Sequence, residues 1–231
     1  MAVCKAWRAV VSEYFRRQVE LWGSDTQESL KTKSIAIVGC GGLGSTLGIT
    51  LGSSGIGEIH LVDFDTVSIH NIHRQIAFKL EDIGAYKCEV LAKLIKSRCE
   101  TTVVKTYVQN FDEFSNLNIE VDLVVDATDN LPSRVIIDKY AKSKKIPWIY
   151  ASVEEFNGQV CFFEKASFKA FNITDRKPGG IAPPIVTFMA SFEANIVLRY
   201  LAGLPIEKDR LNYLYFDNSG SLIHKKFDMP I

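Results

Sequence analysis

Paired cysteines are missing from this 231-residue sequence. Its five cysteines, Cys4, Cys40, Cys88, Cys99 and Cys161, are scattered, odd in number and free of any Cys-x-x-Cys word. A disulfide framework and a cysteine-built zinc site therefore have no starting point. His60, His70, His73 and His224 add no companion spacing, so no zinc is expected. Cys40 and Cys161 fall at strand or turn positions where small buried residues are usual, and read as inert thiols. An excess of charge is absent too, because Lys+Arg and Asp+Glu are both 27. Net charge thus steers the chain toward neither nucleic acid nor an acidic membrane. No apolar run approaches the roughly 18 residues of a membrane-spanning helix, and residues 1–17 lack the apolar core of a signal peptide. Repeats and low-complexity tracts are also lacking. These absences leave an expectation of one soluble, cytoplasmic domain, with 47% hydrophobic residues to fill its core.

What is present centres on residues 34–45. Residues 34–38 are a short β-branched apolar run of the kind that makes a buried strand. Gly39-x-Gly41-x-x-Gly44 follows at once, with Gly42 inside it, and residues 43–53 are helix-compatible. In this spacing the first glycine permits the tight turn and the second lets backbone approach a phosphate. The third lets helix and strand pack closely, and the free N–H groups of the helix start attract the anion. The glycine word alone is common; the strand before it and the helix after it give it meaning. The next strand, 58–63, ends on Asp63, about 20 residues past the glycines, where such folds place a ribose-binding carboxylate. A cap for the following turn is the alternative use of Asp63.

Residues 65–75 are polar and irregular, with Asn71, His73, Arg74 and Gln75 close together. Arginine's planar fork suits phosphate, although a solvated connection would have the same composition. An amphipathic helix is predicted over 84–99, with Lys87 in its first turn, able to point at a nucleotide. Strands are predicted at 102–108, 121–126 and 148–152, and a helix at 132–143. The strand at 121–126 runs into Ala127-Thr-Asp129-Asn130, an acidic turn at the carboxyl end of a strand, where ligands of open parallel sheets bind. Strand and helix thus alternate through about residue 152, which predicts a doubly wound, Rossmann-like, mostly parallel sheet. Beyond it come a strand at 159–164, a loop at 165–184, a helix at 185–201 that is apolar nearly all round, and a closing antiparallel hairpin, 211–217 and 221–227. The apolar helix is either buried or packed on a second subunit. The whole reads as one domain: a helical arm at 1–30, a nucleotide-binding core at 31–152 and a C-terminal portion at 153–231.

Taken in order, these words resemble the ThiF/MoeB/HesA family, relatives of the ubiquitin-activating enzymes. They are Arg17-Gln18, the glycine loop, Leu61-Val-Asp-Phe-Asp-Thr-Val67, Asn71-Ile-His-Arg-Gln75, Gly84-x-x-Lys87, Asp126-Ala-Thr-Asp-Asn130, Asn157-Gly-Gln159 and Gly180-Ile-Ala-Pro183. The resemblance runs from about Tyr14 to the end. It implies ATP and Mg²⁺ as cofactors and adenylation of the C-terminal glycine carboxylate of a ubiquitin-like sulfur carrier. That partner would be ThiS-like or MoaD-like, and the pathway that of thiamine or of molybdopterin. By the same likeness Asp63 would hold the ribose, Asn71, Arg74 and Lys87 the phosphates, and Asp129 the Mg²⁺. Gly39, Gly41, Gly42, Gly44, Asp65, Gln75 and Asn130 would complete the nucleotide site. Arg17 would reach the neighbouring subunit's site, implying a homodimer that carries out carrier binding and dimerisation through 153–231.

Two departures stand out. The family's zinc-holding Cys-x-x-Cys pair is absent, and so is a cysteine in 174–180, ahead of Gly180-Ile-Ala-Pro183. The expectation is therefore adenylation only, with sulfur delivered by another protein. Rival readings are a nicotinamide-dependent oxidoreductase, which leaves Arg74, Lys87 and Asp129 without a purpose, adenylation of a peptide amide or tRNA base, and a non-catalytic partner subunit.

Overall fold

The computed structural model describes residues 13–171 and 179–231. Parts of the expected helical arm (1–12) and of the expected 165–184 loop (172–178) lie outside the described residues. Its described part holds two short helices, α1 (Arg16–Trp22) and α2 (Ser24–Leu30), broken at Gly23, whose φ of +86° ends one helix and starts the next.

One sheet of eight strands organises the rest, in the order β3-β2-β1-β4-β5-β6-β7-β8. Strands β1 (Ser34–Val38), β2 (Glu58–Val62), β3 (Val103–Tyr107), β4 (Leu123–Asp126) and β5 (Trp148–Glu154) are parallel. Strands β6 (Asn157–Phe163), β7 (Arg210–Phe216) and β8 (Leu222–Asp228) add antiparallel. The doubly wound, mostly parallel sheet with an antiparallel C-terminal extension is the one expected from the pattern.

Alternation along the central strands feeds two cores, since successive side chains leave opposite faces. Ile35 and Ile37 meet α3 (Gly42–Gly52), α4 (Lys87–Arg98) and α7 (Pro183–Leu201) on one face. Ala36 and Val38 join the core beneath α5 (Phe111–Ser115) and α6 (Leu131–Lys144) on the other. Helix α5 is absent from the sequence reading. At five residues it is too short for a periodic signal, and it is held by the Asn110–Glu113 capping box. The β5–β6 connection is tighter than expected: both strands extend until only Glu155 and Phe156 separate them. Helix α7 buries Ile185, Met189 and Val197 against the sheet, while Phe188 and Asn195 stay exposed, so it is covered on one side only.

Candidate active site

Strand order reverses between β1 and β4, and a cleft of about 1440 Å³ opens outside their carboxyl ends. The glycine loop forms its floor. Gly39 has φ +91°, and a Cβ there would come within 2.7 Å of Ala127 O. A Cβ on Gly44 would lie 1.9 Å from Gly39 O, so only glycine lets helix and loop close up. Gly42 lies under Val186, with 2.8 Å from an added Cβ to Cγ1. Gly41 differs: its nearest neighbour would be Gln75 Nε2 at 3.5 Å, leaving backbone open to the cleft. Gly41 is the N-cap of α3 and supplies no side chain to occupy the first-turn N–H groups.

Asp63, at the end of β2, accepts hydrogen bonds from Cys40 N and, at 2.7 Å, from Asp65 N. It ties the glycine loop to the next turn while lining the cleft, so the capping role is real. Burial pushes its carboxyl up from the usual range, opposed by those two backbone N–H groups and by Lys87. Lys87 starts α4, is buried, and places Nζ 2.7 Å from Asp65 Oδ2. This pair stands at the cleft wall.

The polar stretch 65–75 is irregular apart from one 3-10 turn, Ile69–Asn71, and a second, Leu80–Asp82, follows it. In the first, Asn71 is buried and its Oδ1 accepts from Ser68 N at 3.1 Å. Arg74 faces the cleft, with Nη1 2.9 Å from His70 O and 2.9 Å from His73 Nε2. Gln75 is buried beside Gly41, and its Oε1 has no partner among the described residues. Across the cleft Asp129 is exposed on the turn after β4. Asn130 caps α6, accepting from Ser133 N at 2.9 Å, so its oxygen is already engaged.

The structure therefore brings Gly39, Gly41, Gly42, Asp63, Asp65, Asn71, Arg74, Gln75, Lys87, Asp129 and Asn130 to one cleft. Gly44 stands behind it, and Arg17 does not reach it. Arg17 is on α1, 82% exposed, paired with Glu20 at 2.8 Å.

Three contributions escaped the sequence reading. Arg134 of α6 is buried, with Nε 3.1 Å from Asp126 Oδ2 and Nη2 donating to Thr128 O at 2.6 Å and Ala151 O at 3.3 Å. Its guanidinium lies 4.9 Å from the centre of the Tyr150 ring. It fixes the turn that carries Asp129. An arginine in the first turns of a helix following an acidic strand end was the available signal. Second, Gln109 lines the cleft with a buried Nε2 that has no partner among the described residues. With Gln75 Oε1 it leaves one donor and one acceptor for a polar ligand. Third, Glu154, Glu155, Asn157, Gln159 and Tyr213, from β5, β6, β7 and the turn joining the first two, extend the cleft away from the glycine loop. Only register places these together.

No group of three or more potential metal-binding side chains exists among the described residues. Mg²⁺ seldom needs one: it takes one or two carboxylates and completes its octahedron with water and substrate phosphates. The exposed carboxylate of Asp129, facing the glycine loop across the cleft, fits that requirement. Among the described residues the thiols fit no nucleophilic role. Cys40, Cys88, Cys99 and Cys161 are buried. Burial, with Asp63 adding to it, raises Cys40 far above the ordinary thiol range and pushes Cys88 up to about 11; burial, with Asp209 adding to it, pushes Cys161 up to about 12.

The sequence pattern of the ThiF family matches residues 15–229. A probable molybdopterin-synthase adenylyltransferase of Porphyra purpurea is 39% identical over 91% of this chain and 59% of its own length. A sulfur carrier protein adenylyltransferase of Thermus thermophilus is 33% identical over 68% of this chain and 59% of its own. The chain thus spans about three-fifths of the length of these two relatives. Among solved structures, Escherichia coli MccB with ATP superposes with a TM-score of 0.81 over 94% of this chain and 71% of that one, at 23% identity. That likeness is one of fold.

Proposed function

The chain belongs to the ThiF family, and on that premise we propose that it uses ATP to adenylate the C-terminal carboxylate of a small ubiquitin-like sulfur carrier. The carrying observation is the cleft itself: Arg74, Lys87 and Asp129 surround the open backbone at Gly41, while β5 to β7 prolong the cavity into a channel for an extended chain. The relatives named as adenylyltransferases for a sulfur carrier and for molybdopterin synthase support the substrate class.

In this reading a carboxylate oxygen attacks the α-phosphorus of ATP. A bond from that oxygen to phosphorus forms, the bond from the α-phosphorus to the bridging oxygen breaks, and pyrophosphate leaves with the electron pair. The residues' task is to hold anions together and to stabilise charge on the phosphoryl oxygens. Asp63 holds the ribose; Arg74, Lys87, Asn71 and the α3 N–H groups hold the phosphates. Lys87 exchanges its contact with Asp65 for the nucleotide. Asp129 binds Mg²⁺, which supplies charge neutralisation at the phosphates. Burial of the thiols near the cleft supports release of the acyl-adenylate to a sulfur donor on another protein. Reduced, unpaired cysteines and ATP use suit the cytoplasm.

A homodimer is part of this reading. The segment 64–86 beside the cleft exposes Phe64, Ile69, Ile76, Leu80, Ile83 and Tyr86, an apolar surface of the kind that protein contacts cover. Helix α1 buries none of its residues, so Arg17 is free to enter the cleft of a second copy.

ATP–pyrophosphate exchange with purified ThiS-type and MoaD-type carriers tests the proposal. Exchange that requires carrier and Mg²⁺ and falls at least a hundredfold in Asp129→Ala and Arg74→Ala is expected. ATP binding without exchange on either carrier would transfer the reading to a peptide amide or a tRNA base; absence of ATP binding would leave a scaffolding subunit.

A further inference from the structure

We propose that His73 is a positioning residue for Arg74: its neutral imidazole holds the guanidinium with one edge left free for the phosphates of the nucleotide. The inference rests on the ATP-binding part of the reading above and does not involve the carrier.

Arg74 folds back over the 3-10 turn that precedes it, with Nη1 2.9 Å from His70 O and 2.9 Å from His73 Nε2. The turn itself is pinned. Asn71 O accepts from Arg74 N at 3.1 Å and from Gln75 N at 3.0 Å, while the buried Asn71 side chain accepts from Ser68 N. A guanidinium carries five N–H donors and no acceptor. The contact with His73 is therefore a hydrogen bond only where Nε2 is an unprotonated acceptor and the ring proton is on Nδ1. Nη1 spends both of its hydrogens on these two partners. The donors on Nε and Nη2 engage nothing among the described residues. Those two nitrogens present the parallel fork that grips two oxygens of one phosphate.

Arg74 lines the cleft, whereas His73 is exposed and stands outside the cleft lining. The imidazole thus steers the guanidinium without touching the nucleotide. The charged group bonded to the ring is Arg74, and His70, whose carbonyl shares Nη1, is the other titratable residue at this contact. Asp63, Asp65, Lys87 and Asp129 line the same cleft, and none of them bonds either side chain. Histidine is the side chain whose charge ordinarily changes between pH 5 and 8. Protonation of His73 would remove the acceptor and set a second cation against the guanidinium. Repulsion at contact distance outweighs the screened attraction of an exposed imidazolium for a phosphate farther off. Acid should therefore release the fork.

Titration of the full chain with ATP and Mg²⁺ tests the proposal. At pH 8 the Kd for ATP is expected to rise about fivefold in His73→Leu and to stay near wild type in His73→Gln, whose side-chain oxygen keeps an acceptor. In an Arg74→Ala background His73→Leu should change nothing further, because the group it positions is gone. Between pH 8 and pH 5.5 the wild type should lose about fivefold more affinity than His73→Gln, a comparison that cancels the titration of ATP itself. His73 is exposed, so the fold survives these changes, and an unaltered thermal melt checks it. Wild-type affinity in His73→Leu, an equal loss with and without Arg74, no recovery in His73→Gln, or the same pH dependence in wild type and His73→Gln would each overturn the inference. Absence of ATP binding by the wild-type protein would overturn the ATP reading with it. Failure of exchange with both carriers, while these affinities behave as expected, would defeat the carrier reading alone.

Discussion

Arg134 and Asp126 form a buried ion pair, Nε to Oδ2 at 3.1 Å, that ties the start of α6 to the end of β4. The same guanidinium bonds the carbonyls of Thr128 and Ala151, and the same carboxylate accepts from Thr128 N and Oγ1. One side chain therefore fixes both sides of the turn presenting Asp129. Arg134→Met leaves the Asp126 carboxylate buried without its partner, a loss of about 3–5 kcal/mol. A urea melt would show a midpoint shift of that size, and exchange activity should fall even below the denaturation range. A variant with wild-type stability would refute the central role given to this pair.

Glu193 is fully buried in α7, and neither of its oxygens has a partner among the described residues. Burial raises its pKa well above the ordinary carboxylate range, reinforced by Asp126 and opposed by Arg134. The folded state therefore prefers the protonated acid. Its contribution is fully present below the unfolded pKa and is lost as pH rises toward the raised folded value. Glu193→Gln should thus gain on wild type with increasing pH, by up to about 1.4 kcal/mol per unit. Melts at pH 5 and pH 8 check the sign; a constant difference between the two proteins would contradict it.

Two glycines of one motif should respond differently to the same methyl group. In Gly44→Ala the added carbon meets Gly39 O at 1.9 Å, so the loop must open and stability should drop by about 3 kcal/mol or more. Gly41→Ala has room at the cleft surface, with 3.5 Å to Gln75 Nε2, and should melt like wild type. Its loss should appear in nucleotide binding, with Kd for ATP rising about tenfold or more, because the phosphate's approach to backbone is blocked. Calorimetric melting paired with ATP titration separates the two effects.

Thiol chemistry should be dispensable for adenylation. Cys40→Ala, Cys88→Ala and Cys161→Ala remove side chains that are buried and held in the thiol form. Each should cost about 1–2 kcal/mol of stability through lost packing while exchange stays within a few-fold of wild type. Iodoacetamide should leave the proposed exchange reaction of the folded protein intact. Rapid inactivation traced to one of these three residues would reinstate a covalent step.

The central sheet was legible because its signals are local. A β-branched run, a glycine loop and an amphipathic helix each declare themselves within a few residues, and their alternation fixes a parallel sheet with few alternative windings. The site was legible to the same extent. Asp63, Lys87 and Asp129 sit at the ends of such elements, and the fold rule that sends ligands to strand carboxyl ends collects them. Residues 65–75 declared their polar character, yet the 3-10 turn at Ile69–Asn71 within them did not show, since short turns carry no periodicity.

Sequence alone pointed to the residues that gather at the glycine-loop end of the cleft, and to glycine at 39 and 44. Tertiary structure alone decided how they are engaged. Arg134 becomes the brace of the acidic turn only when β4, α6 and β5 meet, and Lys87 is committed to Asp65 only when the start of α4 folds onto the connection after β2. The far half of the cleft belongs to structure entirely. Glu154, Gln159 and Tyr213 come together through antiparallel register across β5, β6 and β7, and register is a relation between distant segments that no local pattern encodes.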